Sequence, residues 1–180
     1  PYKQKGGDMR ELWRAVELRV ASQPCRDAER PLLDLGCGDG LIGQILFDEP
    51  EGAEVGLDPW ADQLHQAAET GVYRHLDQAY GHALPYRDAS FATVFSNSVL
   101  EHIADITPVL HEVARVLAPG GQFIFTVPSD AFRRMLDGYA RRMDAGDAAG
   151  AEAYARSVDR RLEHHHYHSP AEWRDLLSDA

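Results

Sequence analysis

The chain has 180 residues, 44% hydrophobic and 26% charged, which suits one globular domain able to bury a core without staples. Its formal net charge of −11 argues against nucleic acid as a partner, because such proteins neutralise phosphates with a basic face. No apolar stretch approaches the roughly 20 residues of a membrane span, and the first residues are too polar for a signal peptide, so a cytoplasmic protein without membrane contact is expected.

Met9, Leu12, Trp13, Val16 and Val20 recur at helical spacing, and Asp8 with Glu11 has the form of a capping box, so the segment 1–29 opens with a helix. Pro31 introduces Leu32, Leu33, Asp34 and Leu35, a short run that reads as a buried strand ended by Gly36, Gly38 and Gly40. Residues 41–47 are helical in pattern and 54–58 form a second strand, a strand–helix–strand unit that implies a parallel sheet. A helix over 61–69, a strand near 72–75, a strand over 91–96 and a helix over 109–117 continue the alternation. Pro119, Gly120 and Gly121 are expected to end that helix before a strand over 122–127. Such a sequence builds a doubly wound, mostly parallel, Rossmann-like α/β sheet.

The character changes after Pro128. Phe132, Met135, Leu136, Tyr139 and Met143 make one helical stripe and Tyr154, Val158 and Leu162 another, with Gly146 and Gly150 marking the turn between them. This helical insertion over 129–168 reads either as a lid or substrate wall, or as extra packing or an oligomer contact. Ser169, Pro170 and Glu172 supply an N-cap, a first-turn proline and a capping-box acid for a final helix over 169–180 that carries Trp173, Leu176 and Leu177. The arginine pairs Arg133/Arg134, Arg141/Arg142 and Arg160/Arg161 alternate with acids, as solvated helix faces do. Two cysteines, Cys25 and Cys37, make neither a disulfide framework nor a zinc site, in keeping with a reducing compartment.

The turn Gly36, Gly38, Gly40 follows a strand and opens a helix, so its backbone can approach a ligand closely and present amides at a helix N-terminus. Asp58 ends the second strand, where a carboxylate can accept hydrogen bonds from two ribose hydroxyls. Gly38, Gly40 and Gly43 also match the spacing of a dinucleotide fingerprint. With Gly36 as the glycine directly after the strand, however, the third position falls on Leu41, a register that disfavours NAD. The amino-acid end of S-adenosylmethionine needs a compact loop with an acid nearby. Asp34 suits that need, or simply ties loop amides together.

The run from Leu32 to Gly43, the strand end Val55–Asp58 and the segment Ala83–Phe91 resemble class I S-adenosylmethionine-dependent methyltransferases. Leu100-Glu101-His102-Ile103, Glu112, Arg115-Val116-Leu117 and Pro119-Gly120-Gly121 are similar in content and spacing to the small-molecule, methyltransferase-11-like branch of that family. The resemblance covers about 30–128, and several segments in order are far more specific than one glycine match. It implies the sheet order 3-2-1-4-5, with the family's last two strands missing or not shown. Because the chain begins at Pro1, it is read as a piece of a longer protein. It also implies S-adenosyl-L-methionine as cofactor, S-adenosyl-L-homocysteine as product and a single domain over 1–180.

By the same resemblance Gly36, Cys37, Gly38 and Gly40, with Asp34, line the methionine and ribose moieties, and Asp58 binds the ribose. Pro59 and Trp60 flank the adenine, although Trp60 suits a core anchor equally well. The family has an acid near Tyr80, followed here by Gly81 and His82, so the adenine amino contact departs from the pattern. Ala92 replaces a common aspartate at the start of the fourth strand, which bears on packing more than on chemistry.

Asn97 and Ser98, at the C-terminal end of that strand, are placed to border the reacting methyl. His102 is the candidate general base for a hydroxyl or amine acceptor, or else a brace of the cofactor loop. His164, His165, His166 and His168 surround Tyr167 and read as lining of an acceptor pocket. Two imidazoles need a third ligand from elsewhere to hold a metal, and the sequence identifies none, so no metal is expected. Methyl transfer to oxygen, nitrogen or carbon of a small molecule is the leading function. A nicotinamide-dependent oxidoreductase and a non-catalytic cofactor-binding module are the alternatives. The sequence carries no signal for an oligomeric state.

Overall fold

The computed structural model describes residues 7–47 and 52–180, with side chains from Arg14 onward. Two compact units emerge: one runs to Asn97 and takes up His111–Thr126, and the other comprises Ser98–Leu110 and Val127–Ala180.

The first unit carries helix α1 (Gly7–Arg26), strand β1 (Leu32–Leu35), helix α2 (Leu41–Leu46), strand β2 (Ala53–Asp58), helix α3 (Ala61–Thr70), strand β3 (Tyr73–Gln78) and strand β4 (Phe91–Asn97). Helix α4 (Thr107–Val116) gives its second half to this unit and leads into strand β5 (Leu117–Thr126). All neighbouring strands pair in parallel, in the order β3-β2-β1-β4-β5 that the resemblance implied. β1 is buried at every position, and β2 and β4 nearly so, which is why apolar residues stand at neighbouring positions, as in Leu32-Leu33 and Val94-Phe95, rather than strictly alternating.

Against β1, Leu32 packs with Ala21 and Cys25 of α1, with Leu46 and Phe47, and with Phe95 of β4. The Phe47 and Phe95 rings meet edge to face at 5.5 Å. Val16 and Val20 are exposed. The helix therefore forms where the periodicity placed it, but Ala21 and Cys25 rather than that valine stripe face the sheet. The expected Asp8–Glu11 capping box lies outside the described side chains.

β3 runs farther than expected, to Gln78, because it has β2 to pair with along its whole length. Pro119, Gly120 and Gly121 do not separate helix from strand. Leu117 already pairs with Phe91 and Gln122 pairs with Thr93, so the glycine pair forms an irregularity inside β5. Gly120 takes the left-handed conformation that this requires, at φ 81°.

In the second unit a 3-10 turn spans Leu100–His102 and another spans Phe132–Met135, followed by helices α5 (Asp137–Asp144), α6 (Ala148–Leu162) and α7 (Pro170–Ser178). The stripe expected as one helix from Phe132 to Met143 is thus broken at Leu136, which is extended at φ −70°, ψ 124°. Met135 and Met143 stay exposed, so burial does not hold the two pieces in one rod. Gly146 makes the turn at φ 76°. Gly150 lies inside α6, where its amide donates to the N-cap carboxylate of Asp147 at 2.9 Å. Ala151, Ala155 and Val158 are the buried face of α6. α7 has the expected capping box between Ser169 and Glu172 and buries Trp173.

Candidate cofactor site

The C-terminal ends of β1 and β2 lie side by side, with Leu35 opposite Leu57, and this register puts the glycine turn against Asp58. Gly36, Gly38 and Gly40 have φ values of 78°, 54° and 78°, a left-handed series that side-chain-bearing residues rarely adopt. The turn closes on itself. The Gly36 and Cys37 amides donate to Leu57 O at 2.7 and 3.0 Å, the Gly38 amide to Asp58 Oδ2 at 3.0 Å and the Gly40 amide to Cys37 O at 3.0 Å. The Leu41 amide donates to Asp39 Oδ1 at 3.1 Å. The amides of Gly36, Cys37, Gly38, Gly40 and Leu41 are therefore directed within the turn and its strand neighbours rather than outward. A pyrophosphate needs those donors.

Carboxylates dominate instead. Asp34, Asp58 and Asp39 all push the buried Cys37 thiol upward, on top of the larger effect of burial. Such surroundings favour a ligand bearing positive charge. Among the described residues a Cβ added at Gly38 would meet only Gln63 Oε1, at 3.8 Å, which leaves room for a ligand beside this glycine.

Asp34 lies in β1, 3% exposed. Its partner is not a loop amide but the Tyr73 hydroxyl from β3, which donates to Oδ2 at 2.6 Å. Burial raises its pKa to about 7, opposed by the Tyr73 bond and reinforced by the charge of Asp58. The hydroxyl reaches it because residue 43 is glycine: a Cβ there would stand 2.1 Å from Tyr73 Oη.

Asp58 is 6% exposed and bridges two segments. One oxygen holds the Gly38 amide and the other accepts from the Trp60 amide at 2.9 Å. Each carboxylate oxygen has a second lone pair for a ribose hydroxyl. Gln78 Nε2 donates to Pro59 O at 3.0 Å and so fixes the same corner from β3. The indole of Trp60 is 64% exposed, which excludes the core-anchor reading and leaves its face available for stacking. Tyr80 is exposed and its ring stacks on His82 at 5.5 Å across Gly81. Tyr86 donates to Asp77 Oδ2 at 2.9 Å and ties the next connection to β3. Tyr73, Asp77 and Gln78 escaped sequence reasoning. The alternation of β3 puts Tyr73 and Asp77 on one face, but nothing in the sequence names their partners.

Asn97 does not simply border a ligand. Its Nδ2 contacts Glu17 Oε1 at 2.7 Å and Thr126 Oγ1 at 2.5 Å, which joins β4 to α1 and β5. Ser98 begins the second unit in the left-handed conformation, at φ 52°. His102 also belongs to that unit, with Nδ1 3.3 Å from Glu163 O and Nε2 4.0 Å from the buried Glu101 carboxylate.

A "Methyltransferase domain" family profile matches residues 33–125, about half of the chain. Demethylmenaquinone methyltransferase of Thermus thermophilus is 35% identical over 124 residues, 66% of this chain and 54% of that protein. Malonyl-[acyl-carrier protein] O-methyltransferase of Erwinia billingiae is 32% identical over 136 residues, 74% of this chain and 52% of that protein. The chain thus spans about half the length of these curated relatives. The fold is shared with geranyl diphosphate C-methyltransferase of Streptomyces coelicolor, solved with Mg2+, geranyl diphosphate and S-adenosyl-L-homocysteine. That likeness has a TM-score of 0.67 at 13% identity and covers 92% of this chain and 57% of the other. No helix among the described residues is long and apolar enough to cross a membrane. With this profile match, the 3-2-1-4-5 sheet and the acidic glycine turn beside Asp58, the chain belongs to the class I S-adenosylmethionine-dependent methyltransferase family.

Proposed function

We propose that the chain binds S-adenosylmethionine over the Gly36–Gly40 turn and transfers its methyl group to oxygen, nitrogen or carbon of a small-molecule acceptor. The carrying observation is the Asp58 bridge: a nearly buried carboxylate that orients the turn through Gly38 and the exposed indole through Trp60. Bound there, the cofactor supplies a methyl group on a cationic sulfonium and leaves as S-adenosylhomocysteine. Asp58 accepts the ribose hydroxyls, Trp60 and Pro59 flank the adenine, and Tyr80, Gly81 and His82 close its edge. Asp34, Asp39 and Asp58 attract the positive ligand, and Cys37 and Gly38 let the backbone come close. Asn97 keeps the end of β4 in place, and the chain continues from there into Ser98. Acceleration comes mainly from holding the acceptor in line with the methyl.

Two relatives are named for malonyl-[acyl-carrier protein] and demethylmenaquinone, which supports a metabolite-sized acceptor group over nucleic acid. Both cysteines are buried free thiols, which supports a reducing, cytoplasmic setting.

Calorimetric titration of S-adenosylmethionine, S-adenosylhomocysteine and NAD tests the reading on the wild type, Asp58→Ala and Trp60→Ala. Loss of a charged hydrogen-bonding carboxylate costs about 1.5–3 kcal/mol, roughly 10- to 150-fold in affinity. Trp60→Ala leaves the fold intact because the ring is exposed, and weakens binding by loss of stacking. Binding of NAD alone, or adenosyl-ligand affinity unchanged in both variants, refutes the proposal. Binding without transfer to any acceptor reduces it to a cofactor-binding module.

A further inference from the structure

The second unit brings together three groups that lie far apart in the sequence. Glu101 and His102 sit in the 3-10 turn Leu100–His102, and His164 follows the left-handed residue Glu163 that caps α6. The backbone fixes the approach: the His165 amide donates to Glu101 O at 2.7 Å and the His164 amide to Asp159 O at 3.0 Å. His166 Nε2 donates to Ile103 O at 2.7 Å. As a result one carboxylate oxygen of Glu101 and one ring nitrogen from each of His102 and His164 lie within 4.8 Å of one another. Glu101 is 2% exposed.

The hydrogen bonds behind the rings decide their tautomers. Glu163 O can only accept, so His102 Nδ1, 3.3 Å away, carries the proton. Tyr167 spends its single hydroxyl proton on Asp159 Oδ1 at 2.7 Å. Its oxygen, 2.9 Å from His164 Nδ1, must therefore accept from that nitrogen. Arg133 pairs with Asp159 and lies over the Tyr167 ring at 5.2 Å, so this relay ends on a fixed cation. On each ring the nitrogen left to bind an ion is therefore Nε2. Two imidazoles whose Nδ1–H groups are anchored on oxygen acceptors, beside a buried carboxylate, are how proteins orient ligands for a metal ion.

We propose that Glu101, His102 and His164 bind a divalent first-row transition-metal ion, best represented by Zn2+, with a coordination position left for an outside oxygen ligand. Two imidazoles and one carboxylate suit Zn2+ and its neighbours, whereas Mg2+ and Ca2+ prefer oxygen throughout. Bonds of about 2.0–2.1 Å set tetrahedral ligands roughly 3.3 Å apart, so side-chain rotations on the order of 1 Å close the set around the ion. Three protein ligands leave the fourth position open, and the His102 side chain, 43% exposed, gives it access to solvent. A hydroxyl or carboxylate on a small molecule is the class of ligand that fits there. His102 then serves as a metal ligand rather than as a general base.

The test uses chelator-stripped full chain titrated with Zn2+ by calorimetry, and with Co2+ followed by its visible absorption. One ion per chain is expected, with Mg2+ failing to compete. Glu101→Gln, His102→Ala and His164→Ala should each weaken binding by at least about tenfold, and Tyr167→Phe by about 10- to 100-fold through loss of the acceptor behind His164. His165→Ala and His168→Ala should change it by less than about threefold. Because Glu101 is buried, folding of each variant is checked by circular dichroism, and His102→Ala, altered at the exposed ligand, carries the test if Glu101→Gln fails to fold. Absence of Zn2+ binding, or losses as large in His165→Ala and His168→Ala as in His164→Ala, overturns the proposal in favour of loose chelation by the histidine run. Failure here is distinguishable from failure of the cofactor reading, whose variants, Asp58→Ala and Trp60→Ala, alter the first unit.

Discussion

The buried Asp34 makes the stability of the first unit depend on pH in a direction opposite to that of an ordinary ion-paired carboxylate. The unfolded carboxyl titrates near 4 and the folded one at about 7. Between those values the native state holds one more proton than the unfolded chain, so stability falls as pH rises through the window and levels off above it. The window spans about 3 units, and at about 1.4 kcal/mol per unit the loss from this one group reaches about 4 kcal/mol. Asp34→Asn removes the titration while keeping an oxygen to accept from Tyr73. Urea unfolding of both proteins at pH 4, 5, 6, 7 and 8 should show near-equal stability only at pH 4, where the carboxyl is largely protonated folded and half protonated unfolded, and a gap of about 1.5 kcal/mol already at pH 5. A gap of up to about 4 kcal/mol in favour of the variant should open by pH 8. Differencing the two proteins cancels every other titrating group. Parallel pH profiles, or a gap that opens toward acid, would refute the argument that burial outweighs the Tyr73 hydrogen bond.

Further outcomes follow from neighbouring geometry. Gly43→Ala drives a methyl onto the Tyr73 hydroxyl, 2.1 Å from its oxygen, and should cost about 1–3 kcal/mol by overpacking and loss of the Asp34 bond; in a Tyr73→Phe background denaturant unfolding should show only part of that cost gone, because the ring carbon Cζ still stands 2.8 Å from the added methyl. Arg115 clamps the 84–88 connection through Leu84 O, Tyr86 O, Asp88 and Glu112, so Arg115→Ala should speed protease cleavage there, and Arg115→Lys should rescue only in part because one ammonium cannot span those acceptors. Ser169→Ala removes the acceptor for the Glu172 amide and should cost about 1 kcal/mol of α7 stability, read as faster amide exchange in its first turn.

Burial explains which parts of the protein were legible beforehand. β1, β2 and β4 are covered on both faces, so apolar residues could stand at neighbouring positions, as in Leu32-Leu33 and Val94-Phe95, and the helices between them had to carry a stripe. Asp58 was legible because the end of a strand beside a glycine turn can be located by counting. Trp60 could be read in two ways, since an indole suits both a core and a stacking platform, and only its exposure decided between them. The break at Leu136 was illegible because periodicity reports which face would be buried, whereas Met135 and Met143 found nothing to bury against.

The sequence by itself determined the alternating α/β order, the parallel sheet, the glycine turn and the aspartate beside it, because these depend on local spacing and on the period of apolar residues. Tertiary structure alone decided that Asp34 answers to Tyr73, that most amides of the turn are spent inward, and that Glu101 meets His102 and His164. Those pairings join residues from separate elements, such as β1 with β3 or a 3-10 turn with the end of α6. Spacing along one element fixes the face a side chain takes, but the neighbour it finds there is set by strand order, register and the path of the connecting chain.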